Sequence, residues 1–542
     1  MYNKGKTKKK GLGKMKKILA CLVVITLLFS GCSLATPKID GIQIKLADNK
    51  ITVDGKKISN DNTQAVYTAN DIVFYLEGQD FKYGEGEKED EHSQAEADSH
   101  TVVHITKPGR YVLSGKLSLG QIAVDLGENA ETDPNAVVTL ILNGVDITCT
   151  VAPAVIFYNV YECGAKDEET ATKDVDTKNA GANVIIADGT ENIITGSHVA
   201  KIYKSYELNA DGTEVVDSKK LHKYDAAFYS KKTMNIDGGE KGDGILHIKA
   251  DNEGLDSELH LTINGGSIDI ISGNDGINTN EDNVSVTTVN GGILNILCDG
   301  STGEGDGIDS NGWLVINGGL VISQACATSG DAGIDSDLGI YINGGSVIAS
   351  GNMLDRIAGG EQTYVVFSFA NRQTGDSTYI LKNLENKVVG DYAPTNDFTY
   401  LLIAGDELTP GDYTFWQGDT QLSASTMGNM QGERPQGQRP EMPNGEMPNG
   451  EMPEGFTPPE KPQGDIQQFP GNIADMENFT RPENMNGEQP PQMPNDEQPQ
   501  GERPQMPNNM GEMGMTNGEN STTFIIIKGG NQFANVSPIA TK

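Results

Sequence analysis

The chain has 542 residues, 36% of them hydrophobic, and a formal net charge of −35, with 41 Lys and Arg against 76 Asp and Glu. Such a length allows several average domains, or one solenoid that uses most of it. The charge excludes nucleic acid as a default partner, since phosphate binding needs clustered Lys and Arg. It also argues against direct electrostatic attraction to an acidic polysaccharide unless a cation bridges the two.

Residues 1–31 read as an export signal. Eight lysines and no acid stand between Lys4 and Lys17, and the apolar run from Ile18 to Phe29 is too short to span a bilayer. Phe29-Ser30-Gly31-Cys32-Ser33 looks like a bacterial lipobox, with Phe29 where Leu is usual. That resemblance implies cleavage before Cys32, lipidation of its thiol, and a mature chain anchored at the extracellular face of the cytoplasmic membrane. A plain signal peptide with an incidental Cys is the alternative. Once the signal is removed, Cys149, Cys163, Cys298 and Cys326 remain besides Cys32. They show no C-x-x-C or Cys/His spacing for zinc. A Cys149–Cys163 bridge stays open.

Residues 32–65 suit a tether and first strands. Gly84 to His100 is acidic without apolar period and predicts a disordered loop. From Thr101 the β pattern is strong: Thr101-Val-Val-His-Ile-Thr, Gly109-Arg-Tyr-Val-Leu-Ser-Gly, Gly120-Gln-Ile-Ala-Val-Asp-Leu and Ala136-Val-Val-Thr-Leu-Ile-Leu. Polar insertions at Lys166–Ala180 and Lys201–Lys223 interrupt it. A solenoid tolerates these at its corners because loop length costs little entropy.

From Leu255 to Ser350 one phrase occurs four times. Asn264-Gly265-Gly266, Asn290-Gly291-Gly292, Asn317-Gly318-Gly319 and Asn343-Gly344-Gly345 are spaced 26, 27 and 26 residues apart. Such a period means a repeat architecture. No helical face of that length is present, and three short β runs per repeat suit one turn of a parallel β-helix. Ile263, Val289, Ile316 and Ile342 precede the glycines, and Ile268, Leu294, Val321 and Val347 follow them. Leu255, Ile277, Ile308 and Ile334 form a third column. The columns stack at about 4.8 Å, so neighbouring turns bury what no single turn can. The four Asn residues predict an internal amide ladder.

The same stacking puts Asp256, Asn278, Asp309 and Asp335 in one column, with Asp275, Glu281, Asp282, Asp299, Glu304, Asp306, Asp331 and Asp337 nearby. Two carboxylates at that spacing repel by roughly 3–4 kcal/mol at an effective dielectric near 20. Either they splay into water as a solvated acidic edge, or a cation sits between them. Hard oxygen donors suit Ca2+, which takes about six to eight oxygens.

Residues 361–426 lose the period. Tyr364-Val-Val-Phe-Ser-Phe, Thr399-Tyr-Leu-Leu-Ile-Ala and Gly411-Asp-Tyr-Thr-Phe-Trp predict a small antiparallel cap, with Trp416 in its core. Residues 427–520 are rich in Pro, Gln and Met and predict a disordered insertion. Residues 521–542 return as a strand of the cap.

Pro108-Gly-Arg-Tyr-Val-Leu-Ser-Gly, Leu142-Asn-Gly-Val-Asp-Ile, Gly189-Thr-Glu-Asn, Asp225-Ala-Ala-Phe-Tyr-Ser and Leu261-Thr-Ile-Asn-Gly-Gly occur in that order. This resembles a family of bacterial surface carbohydrate-binding proteins built on a polysaccharide-lyase-like right-handed parallel β-helix. Within residues 66–360 the resemblance implies binding of cellulose or polygalacturonate, with Ca2+ held by acidic turns. The matching positions are Asp256, Asp275, Asp306, Asp309, Asp331 and Asp335. Asn278 replaces an acid, which implies a weaker site there or none. Trp313 is a candidate sugar platform beside the Asp309 turn, or else it packs under a loop.

No catalytic residue is assigned. Lys249 and Arg356 are among the few bases near the acids, and neither stands in a motif. His198, His222, His247 and His260 have no triad or metal spacing. The alternatives to a glycan binder are a surface adhesin or structural solenoid, and a Ca2+-dependent polyuronate lyase.

Overall fold

Short alternating apolar runs punctuated by Gly, Asn and Asp fold here as strands throughout, and the chain is all-β. The computed structural model describes residues 39–221, 223–427 and 520–539. The export signal, Cys32, His222 and residues 428–519 of the Pro-rich stretch lie outside these described residues. Among the described residues helix is limited to Lys88–Asp90, Gln94–Ala97 and Ala130–Thr132.

Three parallel ladders carry the repeat. In the first, Ala182–Ile186, Met234–Asp237, His260–Ile263, Val286–Val289, Trp313–Ile316 and Gly339–Ile342 pair in succession. In the second, Glu191–Gly196, Ile245–Ala250, Ser267–Ser272, Ile293–Cys298, Leu320–Gln324 and Ser346–Gly351 do the same. The third runs through Gly120–Asp125, Val155–Asn159, Ala226–Ser230, Glu253–Ser257, Ile277–Thr279 and Ile308–Ser310. Each turn of chain visits the third ladder, the first, the Asn-Gly-Gly corner and then the second.

The registers match the apolar columns. Ile263 pairs with Val289, Val289 with Ile316, and Ile316 with Ile342. Ile268, Leu294, Val321 and Val347 pair likewise, as do Leu255, Ile277 and Ile308. All of these side chains are buried. At about 1.5–3 kcal/mol for each fully buried aliphatic side chain, these columns contribute strongly to stability.

The second glycine of each corner could be nothing else. Gly266, Gly292, Gly319 and Gly345 have φ of +93°, +88°, +84° and +79°. A Cβ on Gly292 would lie 2.5 Å from the carbonyl oxygen of Gly266. The amide ladder beside these glycines forms, with Asn290, Asn317 and Asn343 each donating from Nδ2 to the preceding Oδ1 at 2.8–2.9 Å. It is not internal as expected. All four Asn side chains are exposed, because each stands where the chain turns outward around the corner.

Two expectations of irregular chain are corrected. Within Gly84 to His100 the Ser93 hydroxyl accepts from Glu96 N at 3.2 Å and caps a helical turn that buries Ala97 and His100. Lys201 to Lys223 contains an antiparallel hairpin, Tyr203–Leu208 with Val215–Lys220. Local capping and β pairing supply the order that the apolar pattern does not announce.

After Tyr364 a second core forms from Phe367, Phe369, Tyr379, Phe398, Phe415, Phe524 and Phe533. Its strand Phe398–Ala404 pairs antiparallel with Ser346–Gly351, covering the open edge of the second ladder. Phe524–Ile526 pairs with Gly411–Gln417, and Gly530–Pro538 pairs parallel with Tyr364–Gln373. Trp416 is not in this core. It is half-buried on the opposite face of its strand from Phe415.

Candidate acidic row along the third ladder

The third ladder repeats a four-residue phrase: Glu253-Gly-Leu-Asp256, Asp275-Gly-Ile-Asn278, Asp306-Gly-Ile-Asp309 and Ala332-Gly-Ile-Asp335. The apolar member packs inside. The glycine permits close approach to the second ladder, since a Cβ on Gly276 would lie 2.2 Å from Ile296 Cγ2 and 2.6 Å from Gly307 O. The first and last members make two neighbouring columns, acidic except at Ala332 and Asn278.

In the last-position column Asp256 pairs in register with Asn278, and Asn278 with Asp309. Asp335 N donates to Ile308 O at 2.7 Å, which continues the column by one more turn. In the first-position column each carboxylate holds the next turn. Asp306 N donates to Asp275 Oδ1 at 2.7 Å, and Ala332 N to Asp306 Oδ1 at 2.5 Å. Asp331 Oδ2 accepts from Gly305 N at 2.6 Å and from the Ser329 hydroxyl.

The two columns meet at Asn278. Its Nδ2 donates to Glu253 Oε1 at 3.0 Å and to Asn280 Oδ1 at 3.1 Å, and Asn280 Nδ2 donates to Asp256 Oδ1 at 2.9 Å. Glu253, Asp256 and Asn278 are only 6%, 0% and 7% exposed. Each nevertheless has an oxygen without a hydrogen-bond partner: Glu253 Oε2, Asp256 Oδ2 and Asn278 Oδ1. An unpaired buried acceptor of this kind carries its full desolvation penalty.

Burial and mutual repulsion act on the whole row. Burial first, then the charge of neighbouring acids, pushes Glu253 up to about 8, and Asp256 and Asp275 well above the usual carboxylate range. Asp306, Asp309 and Asp335 rise to about 9, about 6 and about 7, with burial again the largest cause. Nearby cations are few. Lys201 Nζ lies 3.7 Å from Asp225 Oδ2, and Lys223 partly offsets Asp256 and Glu258.

The donor set is carboxylate and amide oxygen, which fits a hard cation such as Ca2+. Among the described residues, however, no three His, Cys, Asp or Glu side chains converge on one point. Glu253, Asp256 and Asn278 each keep one partnerless oxygen, and all three belong to the hydrogen-bond network around Asn278 and Asn280.

Asp256, Asp275, Asn278, Asp306, Asp309, Asp331 and Asp335 all fall on this row or its flanking turn. Asn278, the position expected to weaken a site, stands where the two columns join. Sequence reasoning missed Glu253, Asp225, Asn280 and Asp355, although the acid-Gly-apolar phrase would have marked Glu253. Asp355 Oδ2 accepts from Ser336 N at 3.2 Å, beside Asp335. Trp313 is half-buried on the first ladder, just after the corner that follows Asp309. Neither candidate base stands on the row. Lys249 lies on the second ladder opposite Ile271, and Arg356 Nη2 donates to Leu338 O at 2.9 Å. The four described cysteines are free, so no Cys149–Cys163 bridge forms.

Residues 99–365 match the model of a family described as carbohydrate-binding domain-containing protein. A protein of that description from Acetivibrio thermocellus is 27% identical over 257 residues, which are 47% of this chain and 64% of that protein. The chain thus spans less than two thirds of that relative. A solved structure of a polysaccharide lyase-like protein from C. thermocellum, a gadolinium derivative, is 20% identical with a TM-score of 0.31. That match covers 59% of this chain and 99% of the other.

Proposed function

We propose, from the match of residues 99–365 to that carbohydrate-binding family, that the chain is a lipid-anchored, Ca2+-dependent binder of plant-type polysaccharide, cellulose or polygalacturonate. The three ladders are read as successive turns of a right-handed parallel β-helix. Cys32 is its lipid attachment point at the extracellular face of the membrane, and Ca2+ is held along the acidic row.

The observation that carries the calcium reading is the trio of buried oxygens without partners on Glu253, Asp256 and Asn278. When bound, Ca2+ supplies positive charge and open coordination positions for sugar oxygens. Asp275 and Asp306 fasten adjacent turns through their backbone bonds, which fixes the spacing of the donors. Asp309, Asp331 and Asp335 extend the row toward its more exposed end, and Trp313 offers an aromatic face near it.

Pull-down of the purified chain on cellulose and on polygalacturonate, with calcium and with EDTA, tests this reading. Retention on at least one polymer with calcium, reduced by EDTA and by Asp256→Asn, is expected. Retention on neither polymer sinks the glycan reading. Retention indifferent to EDTA, together with no metal in the purified chain, sinks the calcium reading.

A further inference from the structure

The cap presents a surface that the acidic row does not use and that lies outside residues 99–365. On the strand Gly411–Gln417 the side chains alternate. Tyr413 and Phe415 are buried in the cap's core, so Thr414 and Trp416 face away from it. Across one flank, Ile380 pairs with Trp416 and Lys382 with Thr414; across the other, Gln421 pairs with Trp416. The Trp416 indole N–H donates to Thr414 Oγ1 at 2.9 Å, which fixes the ring on the sheet. Lys382 Nζ lies 4.7 Å from the ring centroid.

Lys382 is unusual in so acidic a chain. Arg372 and Lys387 on neighbouring segments pair with Asp397 and Glu407, whereas no ion pair among the described residues holds Lys382. The acids on this face of the strands are Asp391, opposite Ile380, and Asp412. The ammonium rests on the half-buried indole instead, and a cation–π contact is weak enough to be exchanged for a carboxylate.

We propose that this face is a second polysaccharide-binding surface, specific for acidic sugars. A uronate residue places its C–H face on Trp416 and its carboxylate on Lys382, which swings off the ring to meet it. The apolar area of the ring and the Lys382 ammonium together select an anionic sugar over a neutral one, and over an anion with no ring to stack. The surface needs no calcium, so its success or failure is separable from that of the acidic row.

The test uses the mature chain carrying Trp313→Phe, which leaves Trp416 as its sole tryptophan, titrated in EDTA while indole emission is followed. Polygalacturonate is expected to shift the emission and hydroxyethylcellulose to leave it unchanged. Lys382→Gln should weaken the polygalacturonate response by about fivefold or more, with an unchanged melting temperature. Trp416→Tyr, which keeps a ring, should retain part of the chelator-resistant binding in a pull-down. No emission shift with polygalacturonate overturns the proposal. So does an equal response to polyglutamate, or a Lys382→Gln chain that binds as the parent does.

Discussion

Asp256 has no exposed surface, and its Oδ2 has no partner. An ionised carboxylate in that position is costly, and two others share its surroundings. The consequence for pH has a definite sign. Glu253 titrates at about 8 in the folded chain against an ordinary 4.5, and Asp306 at about 9 against 3.8. Between those values the folded state holds protons that the unfolded chain has released. Stability in the absence of a cation therefore falls as pH rises through that window. In EDTA the melting temperature should be higher at about pH 5 than at about pH 8. On the proposed calcium reading, saturating Ca2+ should raise it, and by more at the higher pH, where more of the row is ionised. Thermal melts across pH with and without chelator check both slopes; a chelated chain that gains stability toward alkaline pH contradicts the account.

At the scale of the strand, the columns were legible because their spacing is. Four Asn-Gly-Gly phrases at 26 or 27 residues leave one way to align Leu255, Ile277 and Ile308, and these three do pair in register. The side on which the Asn ladder falls was not legible. It depends on which way the chain turns at a corner, and Asn tolerates either side. Glu253 is less legible because it is a Glu where the next two turns carry Asp275 and Asp306. Trp416 was placed in the core because aromatics usually are, yet the alternation of Tyr413 and Phe415 on its own strand puts it on the other face. The glycine column makes the most direct test of the stacking. Gly276→Ala would force a methyl against Ile296 and the Gly307 carbonyl, and should cost about 1–3 kcal/mol by denaturant unfolding. A cost near zero would mean that the second and third ladders do not approach as described.

For the whole molecule, the cap closes what the repeat leaves open. Its last strand, Gly530–Pro538, bonds to both Tyr364–Gln373 and Thr420–Thr426, and Phe524 and Phe533 complete its aromatic core. A chain ending at residue 519 loses all of this at once. We expect it to melt at lower temperature and to associate through the freed edge, which size-exclusion chromatography with light scattering would detect. A monodisperse monomer with the parent's melting temperature would show that the cap closes without it.

One small contact has a wider result. Ala424 and Ser521 exchange two backbone hydrogen bonds, at 3.0 and 2.8 Å, across a gap of nearly a hundred residues in sequence. Residues 424 and 521 thus stand together like the two posts of a doorway. Whatever is threaded between those two posts can lengthen, shorten or be exchanged for foreign sequence with little charge against the rest, since each doubling of a loop costs only about 0.6 kcal/mol. That makes the doorway a natural place for descendants of this gene to diverge, and for an engineer to hang cargo.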